Sequence, residues 1–464
     1  MLTYSFENRG ADSLYTYLYK QIKGDILAFR LAPNEKLPSK RALSKHLGIS
    51  TITVENAYNQ LLAEGYIYSR PKSGFYVSHV TKSVPASAPI PKGAEPIQEE
   101  EVFADFVGSG ISGFPFALWT KLMRQTMSDE GEKLMVRSPS IGVSALREAI
   151  AGYLHAFRGI SVSPDQIVVG AGTEYLYGLI IQLLGRDRKY ALEDPGYGKI
   201  ARIYRENGVA CAHIPLDESG VDVALLERSG ADILHISPAH HFPTGLVTPI
   251  SRRYELLSWA SKAPGRYIIE DDYDSEFRLQ GKPIPTLQSI DVLDKVIYIN
   301  TFSKSLTSTI RISYMVLPRS LMAEYNRRLS FYSCTVSTFE QYTLARFISS
   351  GSFETHINRM RNYYRTQRDA MITAIKSQER YGDTEILEED AGLHFLLRVN
   401  TSLSDEELVA EARKNGLTIS CLSQYYALKE NAQNSTLLIN YGGIAPEKIS
   451  RAVELLFQSL WPSA

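Results

Sequence analysis

Between residues 51 and 65, the apolar positions Val54, Ala57, Tyr58, Leu61 and Leu62 recur at the three-and-four spacing of an amphipathic helix. Ser50 stands just ahead of them as an N-cap. Gly48 makes the turn from a shorter helix, SKRALSKHL, which Pro38 and Ser39 open. A longer helical run, SLYTYLYKQIKGDILAF, precedes both. After the stripe, YIYSRPKSGFYVS reads as two short strands about a Pro/Gly turn. Three helices followed by a hairpin predict a winged helix-turn-helix over 1–80.

Beyond residue 104 the pattern changes. Short apolar runs (QIVVGA, DILHIS, RYIIED, KVIYIN) alternate with turn chemistry and longer helical stretches. That alternation predicts an α/β layer with a mainly parallel sheet. The last third is mostly helical, as in SFETHINRMRNYYRTQRDAMITAIK, and it closes with an α+β stretch from GLHFLLRV to LLINYGG. Residues 81–104 carry Pro85, Pro89, Pro91 and Pro96 without apolar periodicity, which reads as a linker. The expected plan is a head over 1–80, a linker over 81–104 and a body over 105–464.

Composition narrows the class. With 464 residues, 44% hydrophobic, 22% charged and a net charge of −1, the chain is neither disordered nor a bulk polycation. The near-zero charge conceals a split, because residues 1–80 hold ten Lys and Arg against six Asp and Glu. A basic head on an acidic body points to a nucleic-acid module. The three cysteines, Cys211, Cys334 and Cys421, lie far apart, which disfavours a disulfide framework or a cysteine-bound zinc. MLTYSFENRG lacks a secretory pattern and no run of eighteen apolar residues occurs, so a cytoplasmic protein without membrane partners is expected.

The second helix of the turn enters the major groove in such a head. Its outward residues near the N-terminus, Thr51, Thr53 and Asn56, stand where base edges or phosphates are met. Lys40, Arg41, Arg70 and Lys72 are expected to hold the phosphate backbone of a double-stranded operator. The alternative, a helical hairpin for protein contacts, leaves the basic wing without a purpose.

In the body, KVIYIN ends in a Ser/Thr-rich turn holding Lys304, with Arg311 seven residues on. A lysine kept partly deprotonated can form a Schiff base with an aldehyde cofactor. Thr301, Ser303 and Arg311 supply hydroxyls and a fixed cation to a phosphate. RYIIEDDYDSEF delivers Asp271, Asp272, Tyr273 and Asp274 together at a strand end, and carboxylates are costly to cluster unless they meet a cation. An aspartate against a pyridine nitrogen keeps it protonated, and a tyrosine two residues on can reach the ring's phenolic oxygen. The turn after QIVVGA puts the amides of Gly172 and Thr173 at a helix N-terminus, a seat for phosphate. Tyr197 in EDPGYGK can stack on a flat ring, and SPAHHFPTG brings His240 and His241 to a strand end. Each of these alone also fits an ordinary turn.

The head resembles the GntR family of bacterial regulators in LPSKRALSKHLGIS, the ITVENAYNQLLAEGYI helix and the SGFYV wing. The body motifs, in their order, resemble fold-type-I pyridoxal phosphate proteins of the aminotransferase kind. Together the chain resembles the MocR/GabR-like subfamily of GntR transcriptional regulators from about residue 12 to 460. The resemblance implies pyridoxal 5'-phosphate bound as a Schiff base on Lys304. It puts Asp271 on the ring nitrogen, Tyr273 on the phenolic oxygen and Tyr197 on the ring face. Gly172, Thr173, Thr301, Ser303 and Arg311 then surround the phosphate. It also implies a homodimer that senses pyridoxal phosphate or its adduct with an amino compound, with at most slow half-transamination. Two departures weaken the alternative of a working aminotransferase with an accessory head. Asn440 stands where a carboxylate-binding arginine is expected, and Arg137 replaces a usual tyrosine.

Overall fold

A computed structural model describes all residues except 1, 7–8, 11, 81–101, 109–112, 280–283, 390–391 and 463–464. The chain divides into two units, 1–99 and 100–464. Most of the expected linker, 81–101, lies outside the described residues.

In the first unit, α1 (Leu14–Leu27), α2 (Lys40–Leu47) and α3 (Thr51–Ala63) are followed by the antiparallel pair β1 (Ile67–Arg70) and β2 (Gly74–Val77). Ser39 accepts a hydrogen bond from the Ala42 amide and Ser50 one from the Thr53 amide. Each caps its helix start, where the first amides lack intrahelical partners. Gly48 closes α2 with φ +68°, a left-handed position that glycine takes without strain. The stripe Val54, Ala57, Tyr58 and Leu61 is fully buried with Leu18, Ile22 and Ile26 of α1. The Tyr58 hydroxyl keeps its polar end satisfied by donating to the Pro38 carbonyl at 3.0 Å.

The second unit is α/β. β3 (Ala104–Asp105) opens it, so Ala104, at the end of the expected linker, already belongs to a strand. The central sheet uses β4 (Ile167–Gly170), β5 (Lys189–Asp194), β6 (Ala210–Asp217), β7 (Gly220–Val221), β8 (Ile233–Ile236), β9 (Tyr267–Asp271), β10 (Val296–Thr301) and β11 (Ser313–Val316). Their order is β4-β11-β10-β9-β8-β5-β6-β7. Neighbours from β6 through β10 run parallel, while β11 runs antiparallel between β10 and β4. The run QIVVGA is β4, and DILHIS, RYIIED and KVIYIN are β8, β9 and β10. Their four-residue cores are buried on both faces, the signature of a helix-covered parallel sheet. SYMV, which carries no alternation, is the strand β11. A smaller antiparallel sheet gathers β12 (Thr384–Leu387), β13 (His394–Val399), β15 (Ser420–Cys421) and β16 (Thr436–Asn440). A short β14 (Leu417–Thr418) pairs with β3.

Parallel strands all end at one edge of the sheet, and the loops that follow them collect there. The carboxyl ends of β5, β8, β9 and β10 therefore deliver Asp194, Ser237, Asp271 and Thr301 to one cavity.

Candidate cofactor pocket and nucleic-acid face

That cavity measures about 690 Å³, and all nine residues expected around the cofactor line it. At its floor Asp271 is 5% exposed. Its Oδ2 accepts from the Tyr177 hydroxyl and lies 3.6 Å from His235 Nε2. His235 is held in turn by the Tyr204 hydroxyl, 2.7 Å from Nδ1. Asp271 Oδ1 is buried with no hydrogen-bond partner in the protein. An unsatisfied carboxylate oxygen is costly in a dry site and calls for a donor. A protonated pyridine nitrogen is such a donor.

Lys304 follows β10. Burial pushes its ammonium below the ordinary lysine range, and the nearby Asp274 carboxylate opposes that shift. The neutral amine is the nucleophile, so adduct formation with pyridoxal phosphate should rise with pH and level off below the usual lysine value of about 10.4. Stopped-flow absorbance across pH checks this. A plateau at or above the free-lysine value would contradict it.

Gly172 has φ +90° at the N-cap of the helix Thr173–Leu184. A Cβ there would sit 2.8 Å from Arg311 Nη2, so only glycine lets the guanidinium approach this turn. Arg311 also lies 3.6 Å from Glu174, which accepts a short hydrogen bond from Lys199. Thr301 is engaged within its own loop, where Oγ1 accepts from the Ser303 amide at 3.1 Å and from Ser313 Oγ at 2.8 Å. It shapes the lysine turn, leaving Ser303 and the adjacent Ser308 as further hydroxyls on the wall. Tyr197 is 49% exposed and packs edge-on to Phe242 with centroids 5.6 Å apart. The loop beneath it is fastened by Asp194, whose carboxylate accepts from the amides of Ala427 and Leu428.

Sequence reasoning missed Tyr177 and His235, and placed Asp274 only within the carboxylate cluster that ends β9. A histidine inside the apolar run DILHIS is a visible signal, since an isolated polar group in a buried strand needs a partner. Tyr177 carries no such mark.

On the head, Asn56 is exposed on α3, Thr53 is half-buried, and Thr51 is exposed with its hydroxyl 3.2 Å from Ser44 Oγ. Ile52 between them is 69% exposed, an apolar side chain on the first turn that suits a thymine methyl. Lys40 is paired with Glu55 at 2.6 Å, which tempers its charge. Arg41 is exposed and enters no ion pair among the described residues. Arg70 stacks over Tyr68 and Tyr76 at 5.4 and 4.9 Å, and Lys72 is exposed at the tip of the wing.

Residues 109–456 match the family described as aminotransferase class I and II, and residues 14–77 match the bacterial regulatory proteins of the gntR family. The chain is 36% identical over 460 residues to "Uncharacterized HTH-type transcriptional regulator YdeL" of Bacillus subtilis (strain 168), covering 97% of this chain and 98% of that one. It is 29% identical over 468 residues to "Probable rhizopine catabolism regulatory protein MocR" of Rhizobium meliloti, covering 97% and 94%. The chain belongs to the MocR/GabR-like group of GntR regulators. Its body also shares the fold of a kynurenine aminotransferase from Pyrococcus horikoshii, with TM-score 0.68, 23% identity and coverage of 78% and 91%.

Within this MocR-like chain the two departures fall in different places. Asn440 lines the cavity and its Oδ1 accepts from the Gly442 amide at 3.0 Å. The position is thereby spent on shaping a turn rather than presenting a cation. Arg137 is exposed, donates to Ser333 Oγ at 2.8 Å and is not on the cavity wall. No described helix is long and apolar enough to cross a membrane.

Proposed function

We propose that this transcriptional regulator binds pyridoxal 5'-phosphate in the cavity at the sheet edge and couples its occupancy to operator binding by the head. The carrying observation is the partnerless Asp271 Oδ1 in the same cavity as the half-buried Lys304. The residues fit the group. Lys304 Nζ would join the aldehyde carbon as a C=N bond with loss of water. The bound ring supplies an electrophilic carbon and an electron sink. Asp271 holds a proton at the ring nitrogen, with Tyr177 and His235 fixing its orientation. Arg311, Ser303, Thr173 and the Gly172 turn hold the phosphate, Tyr197 covers the ring face, and Tyr273 meets the phenolic oxygen.

The head reads a double-stranded operator in the cytoplasm, and two heads of a homodimer read paired half-sites. Thr51, Thr53 and Asn56 face the bases, while Lys40, Arg41, Arg70 and Lys72 face phosphates. The effector is pyridoxal phosphate or an amino compound joined to it. A ligand shifts the DNA-bound population only by its differential affinity for two head arrangements. The test is an operator titration with and without pyridoxal phosphate and candidate amines. Unchanged operator affinity in every condition would overturn the sensing role. Steady turnover with ordinary amino donors would favour an aminotransferase instead.

Arg41→Ala should weaken operator binding and reduce the slope of log affinity against log salt by about 1. Gel-shift titrations at several salt concentrations read both quantities. An unaltered slope would remove Arg41 from the phosphate contacts.

A further inference from the structure

Beside Lys304 lies a buried group that the assignments above leave unused. His240, from the turn after β8, is 4% exposed, and Asp274, from the loop after β9, is 2% exposed. His240 Nδ1 lies 2.8 Å from Asp274 Oδ2 and 3.2 Å from the Tyr273 hydroxyl. His240 Nε2 is buried without a hydrogen-bond partner. Close packing holds the ring in place. A Cβ on Gly392 would lie 1.9 Å from His240 Cε1, and the His394 ring packs against it at a 38° tilt with 4.8 Å between centroids. His394 itself is anchored by the Pro243 carbonyl at 3.0 Å from its Nε2.

The chemistry of these atoms fixes proton positions. A carboxylate only accepts, so Nδ1 of His240 carries the proton and donates to Asp274. A protonated Nδ1 cannot accept from the tyrosine. Tyr273 oxygen can then take only a second share of the Nδ1 proton, and its own O–H is turned away from His240 toward the cavity that Tyr273 lines. The charged and titratable groups around this imidazole are Asp274 and Tyr273 from the β9 loop and His394 from β13. Glu388 from the loop after β12, the adjacent His241, and Arg158 and Arg278, which line a small cavity with His240 and Asp274, are the others among the described residues, and Lys304 acts on Asp274 and His394.

We propose that Asp274 and His240 form a positioning pair that holds the Tyr273 hydroxyl as a fixed hydrogen-bond donor into the cavity, aimed at the phenolic oxygen of a hydroxypyridine aldehyde. This rests on the pyridoxal phosphate reading. The pair touches no reacting atom and acts through Tyr273. A donor at that oxygen stabilises its anionic form, so the linked amine gives up its proton at lower pH when the donor is oriented.

The experiment compares wild type with His240→Gln, His240→Asn, Asp274→Asn and Tyr273→Phe. An asparagine amide nitrogen can replace Nδ1, whereas glutamine reaches the Nε2 position. Two readouts are used: the pH midpoint of the visible band of the pyridoxal phosphate adduct, and equilibrium affinity for two probes. The probes are pyridoxal phosphate and its analogue lacking the ring hydroxyl. His240→Gln and Asp274→Asn should raise the midpoint by about one unit, toward Tyr273→Phe, and His240→Asn should restore most of it. His240→Gln should weaken pyridoxal phosphate about tenfold and the deoxy analogue little. A wild-type midpoint in His240→Gln, or equal losses for both probes, overturns the positioning role while leaving the cofactor reading intact. A wild-type protein with no band and no adduct overturns both.

Discussion

Lys304→Ala should abolish the covalent adduct altogether. Borohydride reduction of wild type soaked with pyridoxal phosphate should add the cofactor mass to the peptide spanning 300–311, and the variant should show none. The effect is total because no other amine on the cavity wall shares this environment. Lys199, on the helix Gly198–Glu206 and not among the wall residues, is half-exposed and held by Glu174, which raises its proton affinity and keeps it cationic. Lys304 is instead pushed toward the neutral amine by burial. Head folding should be unaffected, since the head has its own core around Tyr58. Operator binding that stays intact but no longer answers to pyridoxal phosphate is the expected companion result. An adduct of unchanged yield on 300–311 in the variant would remove Lys304 from its role.

Arg158→Met should cost the body about 3–5 kcal/mol, the range for breaking a buried ion pair from one side. Arg158 and Asp272 meet at 2.7 Å with side chains 2% and 1% exposed. Asp272 also accepts from the Tyr298 hydroxyl at 2.7 Å, but that neutral donor alone does not compensate a buried charge. Burial works against the Arg158 cation, and Asp272, Tyr298 and Glu276 outweigh it. The measurement is urea denaturation of the whole chain, following the body transition. A shift under about 1 kcal/mol would mean that water reaches the pair.

The same network has a pH signature. Burial, with Asp272 adding to it, pushes Glu276 up to about 7 from 4.5. An acid with a raised folded pKa binds more protons folded than unfolded between those values. Its contribution to stability is therefore present below about 4.5 and lost as pH rises through about 7. Glu276→Gln should flatten that part of the stability–pH profile.

The head was legible almost to the residue. Its elements depend on neighbours in sequence: Ser39 and Ser50 cap, Gly48 turns, and the α3 stripe buries against α1. The strands β4, β8, β9 and β10 were legible for a related reason, because a strand covered on both faces must be apolar throughout. β11 was not, since Ser313 breaks the apolar run and its hydroxyl is answered only across the sheet, by Thr301.

Lys304, Asp271, Tyr273 and Gly172, the proposed cofactor contacts, were named from local motifs that each also fit an ordinary turn and that only their order together made specific. The pairings that support them were not. Tyr177 meets Asp271 across 94 residues of chain, and His240 meets Asp274 across 34. Nothing in the local pattern marks such a pair, because its hydrogen bonds depend on which strand ends the sheet order sets side by side. Short-range periodicity and caps thus wrote the helices, the strands and the candidate reacting groups into the chain. Which proton each buried group holds, and toward what it points, was decided by packing.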